Sequence, residues 1–131
     1  MAKSTKTKSK KRVTKDVERG RIYISATFNN TLITITDKEG NVLSWGSAGA
    51  SGFKGTRKST PYAATTAVDN TVKKAISDFG LKEVEIYVKG PGSGRDTSLR
   101  AIRSAGVKIS QIADVTPIPH NGPRAKKRRR T

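Results

Sequence analysis

The chain has 131 residues, 27 Lys and Arg against 10 Asp and Glu, a formal net charge of +17, one His and no Cys. That length suits one domain of ordinary size, and no apolar run approaches the roughly 20 residues that cross a bilayer. Without cysteine there is no disulfide framework, thiolate metal site or thiol nucleophile, and one His makes no histidine-rich site, so neither a metal nor a cofactor is expected.

Residues 1–20 read as a basic tail, because nine Lys and Arg up to Arg21 face only Asp16 and Glu18. Such a segment has too few apolar residues to offset the entropy of ordering it. It also lacks the apolar stretch of a secretory signal, which makes the cytoplasm the expected location. Residues 21–28 alternate Ile22, Ile24, Ala26 and Phe28 with polar residues, the period of a half-buried strand. Asn29 and Asn30 supply a turn, residues 31–37 a second strand around Ile33 and Ile35, and residues 42–45 a third, giving an antiparallel meander. Residues 46–58 hold four glycines and three basic residues without apolar periodicity, which predicts a loop.

Thr60 fits an N-cap and Pro61 the first helical position; Ala64, Ala67, Val68, Val72, Ala75, Ile76 and Phe79 then share one face until Gly80 stops the helix. Residues 83–89 alternate as a fourth strand, residues 90–94 (GPGSG) turn sharply, and a second helix over 96–105 turns Leu99 and Ile102 inward before Gly106. A short strand over 112–115 precedes Pro117 and Pro119, where regular structure ends, and residues 120–131 form a second basic tail. The order βββαβαβ predicts a single α/β domain over residues 21–119. Its mixed five-stranded sheet should be joined by right-handed crossovers, with helices packed on the sheet faces.

A metal-dependent nuclease would need several converging carboxylates. Asp37, Asp69, Asp96 and Asp114 sit at a turn, in a helix, at a helix start and late in the chain, and their spacing does not force convergence. A Ser-His-Asp site would depend on His120, in a proline-flanked segment beside a basic tail. No enzymatic activity is expected. Residues 90–95 lie between a strand and a helix, where backbone amides can cradle a phosphate, with Lys89 and Arg95 at the rim. Their spacing matches neither a Walker A motif nor a dinucleotide fingerprint. Residues 46–58 gather Lys54, Arg57 and Lys58 around Phe53. Asn29 and Asn30 either read base edges or make a turn, and Trp45 reads as core or loop anchor rather than base platform. Two basic tails on a modestly charged domain favour a polyanion, and they lack the interleaved apolar residues of a membrane-binding helix. With no helix-turn-helix, zinc finger or basic zipper, folded RNA is preferred over a DNA-compacting role.

FNNT at 28–31, SAGASGFKGTRKSTPYAA at 47–64, VKGPGSGR at 88–95 and DVTPIPHNG at 114–122 closely resemble the universal eleventh protein of the small ribosomal subunit, in its bacterial form. The resemblance covers essentially residues 21–122. It implies a fold like that of ribonuclease H without the catalytic acids. It further implies a structural protein of the 30S platform that bridges helices of 16S ribosomal RNA and helps form the cleft of the Shine-Dalgarno duplex. The implied partners are that RNA, the seventh, eighteenth and twenty-first small-subunit proteins, and the vicinity of messenger RNA; no membrane and no homo-oligomer is expected.

The RNA contacts implied are Asn29, Asn30, Gly52, Phe53, Lys54, Gly55, Arg57, Lys58, Lys89, Gly90, Gly92, Gly94 and Arg95, together with the tail residues His120, Asn121, Gly122, Arg124, Lys126, Lys127, Arg128, Arg129 and Arg130. The tail departs from the family pattern at Pro123, where Cys is common, and at Ala125-Lys126, where Pro-Pro is frequent. Gly122 offers no side chain to hinder attack of its amide nitrogen on the Asn121 side chain, so Asn121 is a candidate for isoaspartate formation.

Overall fold

The computed structural model describes residues 16–127 and residue 130. In chain order it contains β1 (Arg19–Ala26), β2 (Thr31–Asp37), β3 (Val42–Ser47), a 3-10 turn (Gly55–Ser59), α1 (Pro61–Phe79), β4 (Glu83–Lys89), α2 (Gly94–Ser104) and β5 (Lys108–Asp114). The five strands form one sheet in the order β3-β2-β1-β4-β5. The meander pairs are antiparallel, whereas β1–β4 and β4–β5 are parallel. This is the mixed sheet that the βββαβαβ order predicts.

Register explains which side of the sheet is covered. Ile22 lies between Ile35 and Ile86, and Ile24 between Ile33 and Val88, so the alternating positions of three central strands stack into one apolar layer. All of these side chains are buried, and each contributes roughly 1.5–3 kcal/mol by leaving water. Ala67, Val68, Val72 and Ala75 of α1 and Ala101 and Ile102 of α2 close over them. Helix α1 carries the chain from β3 past two strands to β4, and α2 carries it from β4 to β5. Both crossovers advance in the same direction, so one shared hand puts both helices on one face, where they pack against each other. The opposite face holds a stacked Tyr23–Tyr87 pair with ring centroids 5.3 Å apart. Beside it Arg21 pairs with Glu85 at 3.5 Å.

The most accurately read element is α1. Thr60 Oγ1 accepts the Ala63 N–H at 3.3 Å, Pro61 opens the helix, and Gly80 ends it at φ 66° in the left-handed region. Elsewhere the boundaries move. β1 starts at Arg19, inside the segment read as tail, and the Val17 N–H donates to Phe79 O at 2.9 Å. It ends at Ala26, so Phe28 leaves the strand and is 65% exposed instead of continuing the buried row. Trp45, expected as core or anchor, is 70% exposed, because Ser44 and Gly46 take the helix-facing positions of β3. β5 starts at Lys108, four residues earlier than its pattern predicts. The β4–β5 register shifts after Val84, and the Ser110 hydroxyl donates to Val84 O at 3.2 Å there, so the alternation a half-buried strand needs is broken.

Candidate nucleic-acid interface

Strands β1, β3, β4 and β5 run in one direction, so their carboxyl ends share one rim with the start of β2 and the N-termini of both helices. At such a rim loops converge and helix dipoles favour negative charge. Three segments singled out from sequence meet here.

The first is the β1–β2 turn. Thr27 N–H and Oγ1–H both donate to Asn30 O, at 2.9 and 3.0 Å, and the Thr31 N–H donates to Asn30 Oδ1 at 2.9 Å. The Asn30 carbonyl and Oδ1 thereby build the turn. Asn29 is exposed and lines a cleft of about 370 Å³ with Gly55, Thr56, Lys58 and Ser59.

The second segment follows β3. Its start is tied down by the Ala48 N–H donating to Thr31 O at 3.1 Å and the Phe53 N–H donating to Ala48 O at 3.3 Å. Gly52 and Gly55 adopt φ of +95° and +60° and face open space, so their conformation requires glycine while no neighbour does. The 3-10 turn then presents Arg57 and Lys58, with Lys54 just before it donating to Gly49 O at 3.2 Å. Phe53 meets Tyr62 of α1 edge to face, centroids 5.8 Å apart.

The third segment, residues 90–95, joins the other two. A Cβ on Gly90 would strike Ala26 O, one on Gly92 would lie 2.7 Å from Ala26 C, and one on Gly94 would lie 2.9 Å from Ala64 Cβ. These glycines therefore let the turn press against β1 and α1. The Gly92 N–H is used by Ala26 O at 2.8 Å and the Gly90 N–H by Thr116 Oγ1 at 3.1 Å. The Ser93 hydroxyl donates to Ser59 O at 2.6 Å, linking the starts of the two helices.

Arg95 turns inward. Its guanidinium donates to Gly90 O at 2.7 Å and to Asp114 Oδ2 at 2.9 Å. Asp114 also accepts the Thr116 hydroxyl at 2.6 Å and the Thr116 N–H at 3.0 Å. Those two bonds, then the Arg95 guanidinium, hold the Asp114 carboxyl well below the ordinary carboxylate range. The resulting clamp ties the chain after β5 to the glycine turn, and the Val115 N–H adds a bond to Val88 O at 2.9 Å. Lys89 remains exposed at the end of β4.

Beyond the clamp, residues 122–127 have no regular structure. His120, Asn121, Gly122, Arg124, Lys126, Lys127 and Arg130 are exposed, and Asn121 has a φ of 59°. Arg128 and Arg129 lie outside the described residues, as do residues 1–15.

The carboxylates stay apart. Asp37 closes the β2–β3 turn, where the Asn41 N–H at 2.9 Å leads the bonds that lower its pKa. Asp69 pairs with Lys73 at 3.0 Å, and Asp96 lies in the first turn of α2. Among the described residues no three His, Asp or Glu side chains gather where a metal ion would fit, and no helix is long and apolar enough to cross a membrane. Sequence reasoning missed Phe28, Tyr62, Asp114 and Thr116 as parts of this rim. Phe28 was hidden by its fit to the β1 alternation, Tyr62 by its place inside a helix, and the clamp by the separation of its members along the chain. The family model described as Ribosomal protein S11 matches residues 20–130, a span that includes the whole rim and every strand and helix but for Arg19, the first residue of β1.

Proposed function

Because the chain belongs to the ribosomal protein S11 family, whose members are structural constituents of the small ribosomal subunit, we propose that its rim binds 16S ribosomal RNA on the 30S platform, in the bacterial manner, in the cytoplasm. The observation that carries this is the meeting of three loop segments, two helix N-termini and the root of a basic tail at one end of the sheet. Asn29, Lys54, Arg57, Lys58 and Lys89 present exposed or half-exposed polar and cationic groups there, and charges of that kind neutralise phosphates and fix an RNA backbone in place.

The glycines of residues 90–95 act by shaping the turn, and Arg95 acts by holding the tail in register. Tail residues from His120 onward then enter crevices between RNA helices and release counterions. The same placement would let the protein help form the Shine-Dalgarno cleft near messenger RNA, beside the seventh, eighteenth and twenty-first small-subunit proteins, as a single copy. Asn121-Gly122 is proposed as a site where the Gly122 amide nitrogen displaces ammonia from the Asn121 side chain, the succinimide then hydrolysing to isoaspartate; peptide maps of assembled particles showing only unmodified Asn121 would exclude it.

The test is a salt-titrated competition between a 16S platform fragment and duplex DNA, using the full chain and a chain ending at Gly122. Preference for the fragment that persists at high salt, with a shallower salt slope after truncation, is the expected result. Equal binding to both nucleic acids would reduce the interaction to bulk charge.

A further inference from the structure

Tyr62 is 71% exposed and Phe28 65% exposed, and both stand at the rim, Tyr62 shortly after Arg57 and Lys58 in the chain and Phe28 next to Asn29. A large ring left in water forgoes the burial that usually stabilises it. Each is nevertheless held on a rigid support. Tyr62 is the second residue of α1, behind Pro61 and the Thr60 cap, and Phe53 braces its ring at an interplanar angle of 82°. Phe28 sits inside the turn locked by Thr27 and Asn30, immediately before Asn29 of the cleft. A ring fixed in advance loses little freedom when a flat partner stacks on it.

The surroundings select that partner. Lys54, Arg57 and Lys58 lie on the segment that leads into Tyr62, Lys58 lines the cleft together with Asn29, and among the described residues none of the three is within 4.0 Å of a carboxylate. Rings interleaved with unneutralised cations suit a single-stranded polyanion, whose bases stack while its phosphates meet the charges. A continuous RNA duplex offers phosphates and groove edges but no free base face. We infer that Tyr62 and Phe28 are stacking platforms for unpaired bases, so that the RNA element held at the rim is a loop or bulge and not a continuous helix. This rests on the RNA-binding reading above and specifies the form of its ligand.

Affinities of the full chain and of its Tyr62→Phe, Tyr62→Ala and Phe28→Ala variants would be measured at one salt concentration for the platform fragment and for a fully paired RNA duplex of equal length. Tyr62→Phe should stay within about twofold, because the ring is kept. Each alanine variant should lose roughly 5- to 150-fold on the fragment, the equivalent of about 1–3 kcal/mol per stacked base, and nothing on the duplex. A ring whose removal leaves fragment affinity unchanged, or weakens fragment and duplex alike, is not a platform. If Tyr62→Phe loses as much as Tyr62→Ala, the hydroxyl rather than the ring is the contact, which also overturns the inference. If the unaltered chain holds the fragment no more tightly than duplex DNA, the RNA reading itself falls and this one falls with it.

Discussion

Two glycine-rich segments with basic residues stand at the same rim, and they differ in what their glycines meet. In residues 90–94 the missing Cβ is a packing requirement, since added carbons at Gly90, Gly92 and Gly94 would collide with Ala26, Thr27, Thr31 or Ala64, and at Gly90 a φ of +96° adds a conformational one. In residues 52–55 it is a conformational requirement alone, because positive φ values coincide with open space. The glycines of the first segment are therefore packed into the wall of the core, whereas those of the second face open space. Glycine content and nearby charge are similar in both, so only the neighbours brought by the fold separate wall from surface.

The sharpest way to break this comparison is Gly92→Ala. Its methyl would lie 2.8 Å from Ala26 O, against backbone that cannot rotate away, and a cost of about 3 kcal/mol is expected. Urea unfolding should show a lower midpoint with an unchanged slope. Gly52→Ala meets no atom, so only its φ of +95° is penalised, by about 1 kcal/mol. Equal losses in the two variants would show that the distinction is not physical. Replacing Lys54, Arg57 and Lys58 by Ala tests the surface side of the comparison: stability should hold, while the salt slope of RNA binding should fall by about one for each phosphate that is no longer neutralised. An unchanged slope would mean that these cations do not meet the RNA.

The limits of sequence reading follow the same division. α1 was legible from end to end because its cap, first-turn proline, apolar face and terminal glycine are all local signals. The sheet was legible wherever alternation persisted, as in β2 and β4, and illegible at β5, where an edge position and a bulge at Ser110 remove the contrast between faces. The rim's charged and glycine residues could be named in advance. Their roles could not, because Gly92 depends on Ala26 and Arg95 on Asp114, and no spacing rule links residues so far apart. Trp45 and Phe28 show the converse error, in which a ring is assigned to the interior because rings usually go there.

The smallest expected effect concerns acid. Asp114 at the rim and Asp37 at the far end of β2 both have pKa values lowered in the folded chain, Asp114 first by the Thr116 hydroxyl and Asp37 first by the Asn41 N–H. A carboxylate whose folded pKa lies below its unfolded value of about 4 stabilises the protein above that pH, and the contribution disappears as pH falls toward the folded value. Asp114 is exposed and Asp37 only half-buried, so the contribution is modest and screened. Asp114→Asn and Asp37→Asn should each lie slightly below the unaltered chain in stability at pH 7 and converge on it as pH falls below 4, read by thermal unfolding across that range. Their RNA binding should part company. Loss of the Asp114 charge frees Arg95 and loosens the root of the tail, so the fragment should bind more weakly, whereas Asp37 closes a turn remote from the rim and its variant should bind normally. Identical affinities in the two variants would confine the clamp to stability and remove it from the interface.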